Sequence, residues 1–474
     1  MSTAENTGAQ LQAPPAQRLG ALAAAALLAL VAGGLLAAAG PLYGLAAVGA
    51  AAVCLVAVLK PAWAITLVAF GLPLYHLATA EVLPGLRLTV LELVGGLLLV
   101  RVLFPGSRPL VPRLKEMPVQ FGLLAAMVVW AVASAAMSPL GRGNLVAGLK
   151  PFSAALVFWF LTFTLGRRPG AARRLIMALV VGVVAAQAIG LSQAVTRTPL
   201  IAWRQVRVTE QRAGQTVGLQ AVRVGGLMGD PNFYAYSSVA VLPMCLAGVV
   251  GGRRKWAWAA AVAVLAAALV LSYSRGAFIA AAAGAMWFVL RAGRARLPAF
   301  LLLTAGAVIG ALVVPPEYVR RIAAISTGSS DLSIRWRFEA WDAAIQAVQT
   351  HPLLGVGPGN ILLINPRRLH PHNTYLDVAA ELGFPGLLAF LGIAALSLRD
   401  AFRAHARAQR DQKVIALAVE SALVATAVFW LFFSMFPHKV PWFLMAIASA
   451  SARAGPATPG TAHQSGCPPR ASIS

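Results

Sequence analysis

Apolar runs of about 20 residues recur along almost the whole chain, and a helix needs this length to cross the hydrocarbon core of a bilayer. Of the 474 residues, 59% are hydrophobic and only 11% are charged. A soluble protein would carry about 25% charged residues and roughly 45–50% apolar ones. The sequence therefore predicts an all-α, polytopic membrane protein and excludes an ordinary soluble enzyme.

The apolar runs predict about 12–14 transmembrane helices, and the weakest signals are the first two and the last. The predicted spans are 20–39, 41–59, 62–80, 86–104, 119–137, 144–166, 174–195, 232–252, 256–274, 276–291, 298–314, 383–399, 414–434 and 440–453. Residues 20–453 thus form one predicted transmembrane domain. Segments 1–19 and 454–474 have the composition of disordered tails, and the first tail is predicted to be cytoplasmic.

The 39 Lys and Arg residues outnumber the 15 Asp and Glu residues, which gives a net charge of +24. A nucleic-acid partner is not predicted, because the basic residues fall in short loops between apolar spans, as the positive-inside rule describes. These loops are 108–115, 167–174, 253–255, 291–296 and 399–413. If they are cytoplasmic, the longer segments at about 196–231 and 315–382 face the periplasm, and the protein lies in the cytoplasmic (inner) membrane.

Two arginines and a histidine fall on the predicted outer face. Arg223 precedes one span, and Arg275 lies between two. An arginine beside apolar helices is costly unless it snorkels or meets an anion. Phosphate is a suitable anion for an arginine, because a guanidinium group binds phosphate bidentately. His372 precedes a late span, where an imidazole can accept a proton near neutral pH, although a lone histidine also serves as a cap or a satisfied polar group.

Other charged residues indicate a functional role less specifically than these two arginines and the histidine. The stretch 334–348 predicts a helix at the membrane surface that carries Arg335 and Arg337, either as a packing lid or as a substrate-gripping element. Glu92 and Glu420 lie inside apolar spans, where carboxylates are functional candidates and structural pairing is the alternative. The three cysteines are far apart and predict neither a metal site nor a disulfide framework.

Three motifs follow one another in the region of about 220–400. They are Arg223-Val-Gly-Gly-Leu-Met-Gly-Asp-Pro-Asn-Phe, then Ser274-Arg275-Gly276, then His372-Asn373 followed after nine residues by Gly383 and after two more by Gly386. Together they resemble the O-antigen ligase/polymerase superfamily of membrane glycosyltransferases. The first 200 residues resemble that superfamily only in being a series of apolar spans.

The resemblance implies a GT-C-like helical fold and a glycan donor carried on polyprenyl (undecaprenyl) pyrophosphate. It also implies inverting transfer, without a metal or other cofactor, to a hydroxyl of a glycan or lipid-linked glycan acceptor. By that analogy Arg223 and Arg275 hold the pyrophosphate, and His372 activates the acceptor hydroxyl.

Four further residues are candidates for a supporting role at the same site: Asn232, Asn373, Arg335 and Arg337. The asparagines belong to the motifs, and the arginines belong to the predicted surface helix. His370 lies outside the histidine pattern, so its replacement is expected to leave most of the activity.

The histidine pattern modestly favours an O-antigen ligase, which transfers glycan to lipid A-core, over an O-antigen or exopolysaccharide polymerase. These two enzymes differ only in the acceptor. A polysaccharide flippase or transporter would share the apolar architecture, but it should carry ionisable groups near mid-membrane and show repeat symmetry. Because the candidate charges cluster at one face, we favour an enzyme.

The predicted topology can be tested by cysteine labelling in a background without the native cysteines. We expect Ser192→Cys and Ser330→Cys to react with an impermeant maleimide in intact spheroplasts, because Ser192 lies at the predicted outer end of span 174–195 and Ser330 lies in the outer segment 315–382. Labelling of both cysteines only after lysis would reverse the orientation.

Overall fold

The computed structural model describes residues 55–56, 59–74, 79–83, 86–104, 111–141, 145–196, 207–212, 215–301, 304 and 332–454. The predicted span 20–39, most of the spans 41–59 and 298–314, and the predicted tails apart from Ala454 lie outside these residues.

Helices make up most of the described chain. The longer ones are α1 (Pro61–Gly71), α2 (Val90–Leu103), α3 (Val119–Ala136), α4 (Leu145–Gly166), α5 (Ala171–Thr196), α6 (Pro231–Gly251), α7 (Lys255–Ser272), α8 (Arg275–Arg291), α9 (Leu332–Thr350), α10 (Thr374–Arg407), α11 (Arg410–Phe429) and α12 (Lys439–Arg453). Seven helices in this described part are long and apolar enough to cross a membrane. The predicted all-α, polytopic membrane class is confirmed.

Two antiparallel hairpins, β1 (Thr79–Leu83) with β2 (Leu86–Thr89) and β3 (Arg207–Arg212) with β4 (Gln215–Val222), interrupt the helices. The first hairpin corrects two predicted spans. Span 62–80 ends early, as α1 stops at Gly71 ahead of Pro73, a residue that cannot continue a helix hydrogen-bond ladder. Span 86–104 begins as a strand, and its helix starts only after Thr89, which forms a capping box with Glu92.

Helix α6 lies at the centre of the bundle and packs against α7, α8 and α11. Asp230 caps its first turn by accepting hydrogen bonds from two backbone amides, and Pro231 is its first residue. The Tyr236 hydroxyl lies 3.0 Å from Oγ1 of Thr426 on α11. Such pairing matters because an unsatisfied polar group in the hydrocarbon region costs several kcal/mol.

Helix α10 begins nine residues before the predicted span at 383 and is kinked at Gly383, where φ is 68°. A Cβ atom there would collide with the carbonyl groups of Pro352 and Leu353. The backbone N–H of Phe384 donates to the Pro352 carbonyl over 2.8 Å. The glycine of the histidine pattern therefore allows the segment after α9 to dock against α10.

The segment after α9 continues along α10 by further backbone hydrogen bonds. The N–H of Val356 donates to the Ala380 carbonyl over 2.9 Å, and the N–H of Gly357 donates to the Glu381 carbonyl over 3.1 Å. The described part of the predicted 315–382 loop thus contains α9, a segment docked on α10, a short helix at Ile361–Ile364 and the first residues of α10.

Glu92 is paired structurally within the bundle. Its carboxylate lies 3.1 Å from the ammonium of Lys150 on α4 and 2.9 Å from that of the buried Lys439 on α12. The interaction ties the beginnings of α2, α4 and α12 together. Glu420 is also paired. Its partners include a residue at the C-terminal end of α8 and are described below.

Candidate active site

Arg223 is held against the end of α7. Its Nε donates to the carbonyl of Ser272 over 2.8 Å, and the next residue, Val224, donates its backbone N–H to the carbonyl of Leu271 over 3.0 Å. The last carbonyls of a helix have no partner within the helix. The chain leaving β4 therefore uses them to fix Arg223 beside the turn between α7 and α8.

Asn232 joins the Arg223 motif to the Ser274-Arg275-Gly276 motif. Its side-chain Oδ1 accepts a hydrogen bond from Arg223 over 3.2 Å and one from the Ser274 hydroxyl over 3.0 Å. Ser274 immediately precedes α8, so Arg275 is the first residue of that helix. One amide oxygen thus fixes the relative positions of the two arginine-bearing segments.

The structure brings a third arginine, from α9, to the same place. A small, partly open cavity, called here the arginine pocket, is lined by Arg223, Asn232, Tyr273, Ser274, Arg275, Gly276, Arg337, Phe429 and Phe432. The Arg335 side chain is 78% exposed and lies 3.4 Å from Glu339 on its own helix, so it does not enter the pocket. Of the two supporting arginines, only Arg337 lines the pocket.

The turn between α7 and α8 needs special backbone geometry to form the pocket. Tyr273 adopts a left-handed conformation with φ of 52°, which is uncommon for a residue other than glycine. A Cβ atom at Gly276 would collide with the Phe432 side chain. The glycine of the second motif therefore lets α8 approach the end of α11 closely.

His372 lies beside the arginine pocket without lining it. It precedes α10, has a left-handed backbone with φ of 51°, and its ring centroid is 4.9 Å from that of Phe433. The Thr374 hydroxyl donates to the Phe433 carbonyl over 2.7 Å, which fixes the chain after α11 beside the histidine. The Nδ1 atom is buried and has no hydrogen-bond partner among the described residues.

The electrostatic surroundings keep His372 neutral. Burial, followed by the positive charges of Arg337, His370 and Arg223, lowers the pKa of His372 to about 3. The imidazole is therefore uncharged at physiological pH, and a lone pair on one ring nitrogen can accept a proton.

Asn373, the other supporting asparagine, is the N-cap of α10. Its side-chain oxygen accepts hydrogen bonds from the backbone amides of Tyr375 and Leu376 over 3.0 and 3.1 Å. Its role in the structure is to begin the helix directly after His372.

His370 has a partner that sequence reasoning did not identify. Its Nδ1 lies 3.0 Å from the carboxylate of the buried Asp377, in the first turn of α10. Burial opposes protonation, but the Asp377 carboxylate outweighs it and raises the pKa of His370 to about 9. His370 is therefore cationic at neutral pH, and its charge contributes to the lowered pKa of His372.

Residues 260–391 match a family model described as O-Antigen ligase (Wzy_C). This confirms the resemblance to the O-antigen ligase/polymerase superfamily. The matched region includes Arg275, Arg337 and His372, whereas Arg223 and Asn232 precede it and are joined to it by the hydrogen bonds described above.

A chain in a solved structure titled "Structural coordination of polymerization and crosslinking by a peptidoglycan synthase complex" is also similar. The alignment covers 70% of this chain and 96% of that chain, with 14% sequence identity and a TM-score of 0.40. No curated protein matched the sequence.

The opposite pKa shifts of the two histidines predict opposite effects on stability. Between about pH 3 and 6.5 the unfolded chain binds a proton at His372 that the native protein does not, so acidification destabilises the native state. His372→Gln should therefore lose less thermal stability than the unsubstituted protein between pH 7 and 5, measured by unfolding in detergent micelles.

His370→Gln is the matched control with the other sign. The raised pKa of His370 stabilises the folded protein fully below about pH 6.5, and this contribution is lost as pH rises through about 9. The variant should be less stable than the unsubstituted protein at pH 6, and the difference should shrink by pH 10. Identical pH dependence of both variants would contradict the assigned shifts.

Proposed function

We propose that the protein is a membrane glycosyltransferase of the O-antigen ligase type. It would transfer a glycan from a polyprenyl (undecaprenyl) pyrophosphate donor to an acceptor hydroxyl, with lipid A-core as the acceptor, at the periplasmic face of the inner membrane. The observation that carries this proposal is the convergence of Arg223, Arg275 and Arg337, from three separate chain segments, on one small pocket beside a neutral histidine.

The arginine pocket suits a diphosphate chemically. Guanidinium groups bind phosphate oxygens bidentately, and Arg223 is oriented in advance by its bonds to Ser272 and Asn232. Preorganised donors placed where negative charge develops are commonly the largest contribution to catalysis. The pocket would therefore both bind the donor and stabilise the pyrophosphate as it leaves.

The transfer step requires one base and one leaving group. The acceptor oxygen would form a bond to the anomeric carbon as the bond from that carbon to the pyrophosphate oxygen breaks, and the electron pair would leave with the pyrophosphate. Attack from the face opposite the leaving group inverts the anomeric configuration. His372 would take the proton from the acceptor hydroxyl, and no metal is part of the proposed step.

Donor binding would make His372 a stronger base. The charges of Arg337 and Arg223 contribute to the low pKa of His372, after the larger effect of burial. A diphosphate among these arginines brings negative charge that offsets their repulsion of a proton. The basicity of His372 would thus rise when the donor is in place, which couples proton transfer to donor binding.

A polymerase would use the same pocket with a growing glycan as acceptor. An in vitro assay with purified protein and polyprenyl-pyrophosphate glycan separates the two activities when lipid A-core and a second lipid-linked glycan are supplied in parallel. Transfer to lipid A-core supports the ligase, chain extension supports the polymerase, and no transfer to either acceptor contradicts the proposal.

The two arginines of α9 provide a matched pair for the donor site. Arg337→Gln should raise the donor KM or lower kcat, with a loss of about tenfold or more, since a charge-assisted hydrogen bond contributes about 1.5–3 kcal/mol. Arg335→Gln removes the same charge two residues away, outside the pocket, and should leave both constants nearly unchanged. Equal kinetic effects of the two substitutions would refute the specific role of Arg337.

The proposed base is tested by His372→Ala in the same assay. We expect kcat to fall by about 10²–10⁴-fold while donor binding persists, because general-base catalysis contributes a factor of this size. His351→Ala, at a histidine just after α9, serves as the control and should retain normal kcat. A folded His372→Ala variant with normal kcat would exclude the base role.

A further inference from the structure

Helix α8 connects the arginine pocket to a second basic site. It begins with Arg275 and ends with Arg291, and 17 helical residues span about 25 Å. At this far end is a cavity of about 380 Å³ lined by Leu290, Arg291, Gly293, Arg296, His405, Ala406 and Lys413, called here the basic pocket. The two cavities therefore lie at opposite ends of one helix, and the proposed transfer reaction makes no use of the second.

The basic pocket collects basic side chains from α8, the turn after it, α10 and α11. Arg291 ends α8, Arg296 follows the next turn, His405 lies near the end of α10 and Lys413 lies in the first turn of α11. Among the described residues that line the pocket, none is acidic. The positive-inside rule accounts for basic residues in these loops, but it does not require them to converge on a cavity.

A buried carboxylate beneath the pocket fixes two of the lining side chains. Glu420 is fully buried and lies 3.1 Å from Nε of Arg291 and 2.8 Å from Nδ1 of His405, and it accepts a hydrogen bond from the Trp287 indole over 2.6 Å. The Arg291 guanidinium also lies 5.3 Å from the centroid of the Phe402 ring. These contacts hold Arg291 and His405 in place before any ligand arrives.

The other two basic side chains of the pocket are exposed and available to a ligand. Arg296 donates to the Leu290 carbonyl over 2.6 Å, which closes the turn after α8, while its side chain stays exposed. Lys413 is exposed as well. The single charge of Glu420 does not balance those of Arg291, Arg296 and Lys413, so the pocket keeps a net positive charge.

An apolar surface adjoins these charges. Leu290 lines the pocket and is 54% exposed, and Leu297 and Leu301, in the helical chain that follows, are 64% and 56% exposed. Leucines exposed next to a cluster of basic side chains provide a surface on which acyl chains can pack. The combination of a cationic cavity with an apolar flank fits a phosphate that is attached to a lipid better than one that is free in solution.

We propose that the basic pocket binds the phosphate of an anionic glycerophospholipid headgroup, with the acyl chains along Leu290 and Leu297. Clusters of Lys and Arg at the membrane interface attract anionic lipids by about 1 kcal/mol for each cation. This site is independent of the proposed transfer reaction, because it lies at the other end of α8. In the predicted topology it faces the cytoplasmic leaflet.

The proposal is tested by native mass spectrometry of the full chain in detergent. The probes are dioctanoyl phosphatidylglycerol, dioctanoyl phosphatidylcholine and inorganic phosphate. We expect the phosphatidylglycerol to bind about thirtyfold more tightly than the phosphatidylcholine, since two available cations contribute about 2 kcal/mol. Equal binding of both lipids would overturn the proposal, and inorganic phosphate bound as tightly as phosphatidylglycerol would overturn the lipid assignment in favour of a soluble phosphate.

Two matched double variants distinguish lipid binding in the basic pocket from attraction by surface charge in general. Arg296→Gln with Lys413→Gln removes two pocket charges and leaves the Arg291–Glu420 pair intact. Arg253→Gln with Arg254→Gln removes the same charge from an exposed turn between α6 and α7. The first double variant should lose the preference for phosphatidylglycerol and the second should keep it. Retention of the preference in the first variant, or equal loss in both, would refute the pocket.

Discussion

One side-chain oxygen, Oδ1 of Asn232, holds together the two arginine-bearing segments on which the site depends. It accepts from Arg223, which arrives from a hairpin, and from Ser274, which begins α8. Asn232 is itself placed by the start of α6, the helix with the largest buried share among the described candidate spans. The most buried of the described candidate spans thus sets the geometry of the arginine pocket.

The sequence predicted helix bounds well where the apolar run and the helix begin and end at the same residues. The predicted spans 119–137 and 232–252 agree with α3 and α6 to within a residue at each end. The span at 62–80 is wrong at its end, because a proline and strand-forming residues share the same apolar stretch. Helix α10 starts before its predicted span, because its first turns carry polar residues, including Asp377, that are buried against protein and not in lipid.

The candidate site was only partly predictable. The motifs identified Arg223, Arg275 and His372, because each motif lies beside an apolar span on the predicted outer face, but they do not show how closely the residues approach. Sequence could not separate Arg337 from Arg335, since the choice depends on the rotation of α9 about its axis. The pairing of His370 with Asp377 depends on the turn before α10 and has no periodic signal.

The direction of α8 has a consequence for the end of the proposed reaction. Its N-terminus carries a partial positive charge of about half a unit from aligned peptide dipoles, and no side chain caps this end. The backbone thus adds to the attraction that three arginines exert on a diphosphate. Attraction of this kind does not end when the glycan has been transferred, because the carrier lipid keeps its pyrophosphate. An enzyme built in this way would hold its spent carrier firmly, and release of that product, rather than bond formation, would limit its turnover.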